Sequence, residues 1–239
     1  MPGQARSSSS EVCVVLPCAG TGTRFSAPYP KELHCVAPGI TVLDLSLAPF
    51  LDLAAAGSRV RLIAVVTAAK LATVRYLARF SDLLTVVVTY QAAQHGPDLR
   101  GAVTAAVPLC TADTVLVLPD QYCSWDAARN PVRAALDCLP GSRWAVLAAP
   151  AHDPADLAAE GALRIERVRD TERVVAAADK PADPSPYNAA WMCIATTAKE
   201  VARLPDAVCP DAAGSAHPLV GAAAVRVAGY RNVTTPWDT

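Results

Sequence analysis

The 239-residue chain predicts an α/β fold: a single domain with a mixed, mostly parallel central sheet flanked by helices, plus a small antiparallel insertion that walls a substrate pocket. Three observations predict it. Through the first half, short apolar runs alternate with amphipathic stretches, the pattern of parallel strands joined by crossover helices. The second half loses that alternation and carries strand-like segments joined by polar, Pro-rich connectors. Hydrophobic residues make up 52% of the chain, enough for a sizeable core without cross-links, yet no stretch reaches the roughly 18 uninterrupted apolar residues of a membrane span.

Residues 1–10 are polar and Ser-rich, lack the apolar stretch of a secretory signal, and read as a disordered lead-in to a domain at 11–239. Residues 12–17 form a buried-strand candidate that runs into a Gly-containing loop. In 41–57, Val42, Leu45, Leu47, Phe50, Leu51 and Leu53 fall mainly at helical spacing, with Gly57 as C-cap. Strand 61–67, helix 70–80, strand 84–90, helix 99–109 and a continuous apolar strand at 114–119 follow. Four such strands place ligands beyond their carboxyl ends. Segments 144–150, 163–168, 174–178 and 189–195 then read as strands, and 197–204 as a helix.

Charge excludes several classes of function. With 21 Lys and Arg against 22 Asp and Glu and no basic run, the chain has no field to attract nucleic acid, so anionic ligands need a local site. The eight cysteines form no CxxC pair and several lie in apolar runs, which reads as reduced thiols in a cytoplasm. The Cys209 to His217 interval lacks four-ligand spacing and reads as a loop.

The sharpest motif is Ala19-Gly20-Thr21-Gly22-Thr23-Arg24 followed by Pro30-Lys31. A strand emptying into Gly20 and Gly22 lets backbone N–H groups approach phosphate oxygens, because glycine has no Cβ to hold them apart. Arg24 adds a fork that grips two oxygens, and Lys31 a mobile point charge. Neither the P-loop nor the GxGxxG pattern fits these residues. The loop therefore suits a triphosphate, with an unliganded Gly-rich turn as the bland alternative.

The motif resembles the AGxGTR and PK signature of the nucleotidyltransferase superfamily that includes the sugar-1-phosphate nucleotidyltransferases. The seven-residue interval from Arg24 to Lys31 is similar to that of N-acetylglucosamine-1-phosphate uridylyltransferases and methylerythritol-phosphate cytidylyltransferases, and Pro30-Lys31-Glu32-Leu33-His34 resembles the former's PKxLH. The resemblance implies a Rossmann-like domain and, residue by residue, a site. Ala19 to Thr23 would hold the nucleotide, Gln91 and Gly96 its base, and Arg24, Lys31 and Lys180 would act in catalysis. Asp120, at the end of a strand, would bind Mg²⁺ with Asn232, which stands where relatives often carry Asp; Asp238 is a candidate assistant. Lys180 and Asn188 would hold the second substrate.

Blander roles stand beside these: a solvated loop for Gln91, a helix N-cap for Asp120, a surface position for Lys180. His34, His95 and His152 lie in loops with no partner carboxylate visible in sequence, and Trp125, Trp144 and Trp191 read as packing residues. No nucleophile elbow appears, which disfavours covalent catalysis. The expected activity couples a sugar 1-phosphate to a nucleoside triphosphate with release of pyrophosphate. The alternatives are a cytidylyltransferase acting on a polyol phosphate or phosphonate, and a non-catalytic nucleotide-binding protein, the reading that Asn232 invites. The expected partners are a nucleoside triphosphate and a phosphorylated small molecule, with neither nucleic acid nor membrane; many relatives are homo-oligomers.

Overall fold

The computed structural model describes residues 11–20, 22, 25–126, 128–151, 153–210 and 217–238. The first strand, β1 (Glu11–Pro17), is buried along almost its whole length. Its side chains alternate between two cores: Val12, Val14 and Leu16 enter one, Cys13 and Val15 the other. A strand covered on both faces explains why the sequence shows a continuous apolar run rather than alternation.

A small hairpin of β2 (Cys35–Ala37) and β3 (Ile40–Thr41) leads into α1 (Val42–Ala55). Thr41 and Asp44 form a reciprocal capping box, in which each side chain accepts the other's backbone N–H at 3.2 and 2.8 Å. Gly57, at φ +93°, supplies the left-handed turn that ends the helix, as the sequence predicts. The first half continues with β4 (Arg59–Val66), α2 (Leu71–Leu77), β5 (Thr85–Tyr90), α3 (Leu99–Ala106) and β6 (Asp113–Val117). Strands β5, β4, β1 and β6 lie side by side in that order, all parallel.

The remaining elements are β7 (Gln121–Ser124), α4 (Pro131–Cys138), β8 (Trp144–Pro150), β9 (Gly161–Val168), β10 (Thr171–Asp179), β11 (Ala189–Thr196), α5 (Leu204–Val208), β12 (Ala223–Arg226) and β13 (Ala228–Asn232). The sheet extends past β6 through β11, β8, β12, β10 and β9, so nine strands form one surface. Its first half is parallel and its second largely antiparallel, with β8 and β12 the parallel exception. The antiparallel strands thus continue the sheet whose strand β1 leads into the glycine-rich loop.

Helices cover both faces. Leu43, Leu47, Phe50 and Leu53 of α1 and Val132, Ala135 and Leu136 of α4 pack on one side. Ala102, Val103 and Ala106 of α3 and Leu204, Ala207 and Val208 of α5 pack on the other. Each large side chain so buried contributes roughly 1.5–3 kcal/mol. Helix α4 was not anticipated, although Asn130 caps it by accepting the Arg133 N–H at 3.1 Å and Pro131 takes its first position. The helix expected at 197–204 starts later: a 3-10 turn at Val201–Arg203 precedes α5. No helix among the described residues is long and apolar enough to cross a membrane.

Candidate active site

The loop after β1 keeps open space over its glycines. A Cβ placed on Gly20 would meet no heavy atom within 4 Å, and one on Gly22 only the Phe25 Cβ at 3.9 Å. Gly22 sits at φ +62°, a conformation that disfavours any side chain. Thr21, Thr23 and Arg24 lie outside the described residues. The following segment closes on an aromatic cluster in which Tyr29 and His34 stack, with Phe25 edge-on to both. The Tyr29 hydroxyl also meets His34 Nδ1 at 3.0 Å, so His34 is packed and bonded through Nδ1, while its buried Nε2 has no partner.

A 3-10 turn, Lys31–Leu33, opens on Pro30, and its two polar side chains part company. Lys31 turns into the cleft and contacts the Asp120 carboxylate. Glu32 is buried, accepting from Lys70 Nζ at 3.1 Å on both oxygens and from Thr73 Oγ1 at 2.7 Å. The sequence gives Glu32, Lys70 and Thr73 no distinguishing spacing, because the pairing joins segments about forty residues apart.

Asp120 lies three residues beyond the end of β6 at Val117, and its carbonyl accepts the Val233 N–H at 2.9 Å. The chain then continues as strand β7, so the helix N-cap role does not arise for Asp120. Strand β7 pairs antiparallel with β13, which sets Asn232 directly opposite Gln121 and brings the closing strand to the Asp120 loop. Asn232 Nδ2 donates to Glu160 Oε1 at 2.6 Å, and Asn232 Oδ1 has no partner. Among the described residues four buried side-chain polar atoms lack a partner, and three of them, Gln121 Oε1, Tyr230 OH and Asn232 Oδ1, belong to this β7–β13 pair. Burial, with the carboxylates of Glu160 and Asp120 nearby, pushes the Tyr230 phenol far above its usual range, while the Asn232 amide works in the other direction.

Other expected residues fall in different places. Gln91 Nε2 donates to the carbonyls of Gly96 at 2.5 Å and Asp98 at 3.0 Å, so its amide donor holds its own loop together. Gly101, in the first turn of α3, packs beneath that loop: a Cβ there would fall on the carbonyl oxygens of His95 and Gly96. Lys180, at φ +45° and with a 65% exposed side chain, borders the cleft 3.9 Å from Asp179 Oδ2. Asn188 does not line it; its amide accepts from Ile165 N at 3.0 Å and donates to Ile165 O at 2.9 Å, clasping β9. Asp238 accepts from the hydroxyls and backbone N–H groups of Thr234 and Thr235, which hold its carboxyl down at about 2. His152 lies outside the described residues.

A cleft of about 390 Å³ is bounded by Lys31, Asp120, Gln121, Glu160, Lys180 and Asn232, with Trp191 against Gly161 in its wall. A second cavity of about 490 Å³ shares Glu160, Asn232 and Thr234 with it and extends over Leu157, Ala190 and Tyr230. The Glu160 to Asn232 hydrogen bond stands where the two meet. Sequence reading missed Gln121, Glu160 and Tyr230; their only signals are that Gln121 follows Asp120, Glu160 precedes Gly161 and Tyr230 stands two residues before Asn232.

The architecture has close counterparts among solved structures. UDP-glucose pyrophosphorylase from Acinetobacter baumannii superposes with a TM-score of 0.69 at 16% identity, over 95% of this chain and 89% of that one. A UTP-bound structure of the enzyme from the same organism gives 0.66 at 17% identity, over 95% and 89%. A UDP-glucose pyrophosphorylase complexed with UDP-glucose gives 0.69 at 14% identity, over 94% of each chain. The chain has the fold of the UDP-glucose pyrophosphorylases. No protein-family model and no curated protein sequence matches it.

Proposed function

We propose that this protein is a nucleotidyltransferase of the NDP-sugar pyrophosphorylase type, coupling a sugar 1-phosphate to a nucleoside triphosphate with release of pyrophosphate in a reducing cytoplasm. The observation that carries the reading is the gathering of three unpartnered buried polar atoms on β7 and β13, beside the Lys31 to Asp120 contact. Buried polar groups are paired in nearly all cases, so such a gathering marks a place built for a ligand. The fold shared with UDP-glucose pyrophosphorylases supports the same conclusion.

In this reading the acceptor phosphate attacks the α-phosphorus in line. A phosphate is already anionic at neutral pH, so no general base is required, and the protein's work is to bring two anions together in register. Lys31 leaves Asp120 for the α-phosphate, Arg24 takes the departing pyrophosphate, and Lys180 draws in the acceptor. The open space over Gly20 and Gly22 admits phosphate oxygens to the backbone. The described cleft residues include Asp98, Asp120, Glu160 and Asp179 but only two lysines, so a polyphosphate needs additional positive charge there.

Asp120 and Asn232 fit Mg²⁺, being one carboxylate and one amide oxygen with no other partner. Asp238 has both oxygens committed to Thr234 and Thr235, which leaves Asn232 as the second ligand. Bound there, the ion would neutralise charge on both reacting phosphates.

Pyrophosphate release tests the proposal, measured with Mg²⁺ across the four nucleoside triphosphates and a panel of sugar 1-phosphates, polyol phosphates and phosphonates. Release with a sugar 1-phosphate supports it. Release only with CTP and a polyol phosphate or phosphonate transfers the assignment to a cytidylyltransferase, and tight nucleotide binding without release for any acceptor identifies a binding protein.

A further inference from the structure

Three carboxylate, imidazole or thiolate groups do not come together anywhere among the described residues. A divalent cation beside Asp120 would therefore complete its shell with substrate phosphates, water and neutral side-chain oxygens, which hard cations accept readily. Asn232 supplies one. Gln121, its direct partner across the β7–β13 ladder, carries another.

Gln121 is 2% exposed, lines the same cleft as Asp120 and Asn232, and has a buried Oε1 with no partner. Directly opposed residues of an antiparallel pair project on the same face, so the two amides are neighbours. The frame that carries them is fixed on several sides. The Gln121 carbonyl accepts from the buried Ser46 hydroxyl of α1 at 2.6 Å, and the Asp120 carbonyl accepts the Val233 N–H at 2.9 Å. Glu160 takes the Asn232 amide nitrogen at 2.6 Å, which leaves the Asn232 oxygen as the atom to be offered.

We propose that Gln121 is a cation-binding residue of this site: its side-chain oxygen joins those of Asp120 and Asn232 on the divalent ion, and Glu160 orients the Asn232 amide for the same purpose. The assignment rests on the nucleotidyltransferase reading and extends it to a residue whose burial would otherwise have no purpose. An unsatisfied buried acceptor destabilises the metal-free protein, so a glutamine retained for folding alone would have found a partner. Affinity is drawn from that unmet hydrogen-bonding capacity.

The test is titration of the full chain with Mn²⁺ alone, read by the electron paramagnetic resonance of the free ion, alongside thermal melts in metal-free buffer. Wild type, Gln121→Leu, Gln121→Glu and Asp120→Asn are compared. Gln121→Leu is expected to weaken Mn²⁺ binding roughly tenfold or more while leaving the metal-free melting temperature unchanged or higher. Gln121→Glu is expected to reverse both signs, with tighter Mn²⁺ binding and a lower metal-free melting temperature. Wild-type Mn²⁺ affinity in Gln121→Leu, or a clear drop in its metal-free stability, overturns the assignment to Gln121 while leaving Asp120 in place. Unaltered Mn²⁺ binding in Asp120→Asn overturns the underlying reading as well.

Discussion

Lys31 and Asp120 neutralise each other in the free cleft, and under the proposed mechanism, in which they exchange partners when substrate binds, removing either has a defined effect. Lys31→Ala and Asp120→Ala are each expected to reduce kcat by roughly a hundredfold or more, about 3 kcal/mol of lost charge stabilisation, in steady-state assays of pyrophosphate release. Asp238 has a different task, and pH separates it from the reaction. Its carboxyl is lowered from 3.8 to about 2 by hydrogen bonds from the Thr234 hydroxyl first, then from the two backbone N–H groups and the Thr235 hydroxyl. A depressed carboxyl contributes stability that is present above 3.8 and is lost as pH falls through about 2. Asp238→Asn is therefore expected to lower the urea midpoint at pH 6, with the difference from wild type vanishing as pH falls from 4 to 2. Lys31 and Asp120 could be named as candidates from sequence, Lys31 by the Pro30-Lys31 motif and Asp120 by its place after an apolar strand. Glu160 and Tyr230 could not, since a lone Glu before a strand or a lone Tyr within one carries no spacing that distinguishes it; Glu160 reaches the cleft beside Asn232, to which it is hydrogen-bonded, and Tyr230 lines the adjoining cavity.

At the scale of elements, the buried Glu32, Lys70 and Thr73 cluster fixes the turn that presents Lys31 to the start of α2. A buried ion pair is weak as a source of stability, because desolvation offsets most of its attraction, but breaking it leaves an uncompensated charge. Lys70→Met is expected to destabilise by about 3–5 kcal/mol, roughly 10 °C in melting temperature, and the double variant Glu32→Met with Lys70→Met to recover most of that loss. Calorimetry on the two variants checks both signs. Elements with strong local chemistry, such as the Thr41 and Asp44 capping box of α1 or the β-branched run of β5, were readable along the chain. Strands β7 and β12 were not, for they are four residues each and owe their existence to a partner strand rather than to their own pattern.

For the whole molecule, the sequence reading separated a parallel half from antiparallel additions, while the structure joins them through β6 and β11 in one sheet. Helices α3 and α5 reinforce the junction. Arg100 on α3 pairs with Asp206 on α5 at 2.7 Å and donates to the Cys209 carbonyl at 2.8 Å. A shared sheet and a shared helical layer predict a single cooperative unit, and the cysteines report on it. All eight are free; only Cys35 is exposed, whereas Cys13 and Cys18 are buried in the parallel half and Cys193 in the antiparallel half. Burial pushes the Cys18 and Cys193 thiols well above their ordinary range, and Cys123 up to about 11, which suppresses the reactive thiolate further. With a chromogenic disulfide reagent at pH 8, Cys35 is expected to react at once. The four buried thiols, Cys13, Cys18, Cys123 and Cys193, are expected to follow together at the rate of global unfolding. Peptide mapping during the reaction would show Cys193 labelled well ahead of Cys13 and Cys18 if the antiparallel half opened by itself, and the continuity of the sheet across β6 and β11 argues that it does not.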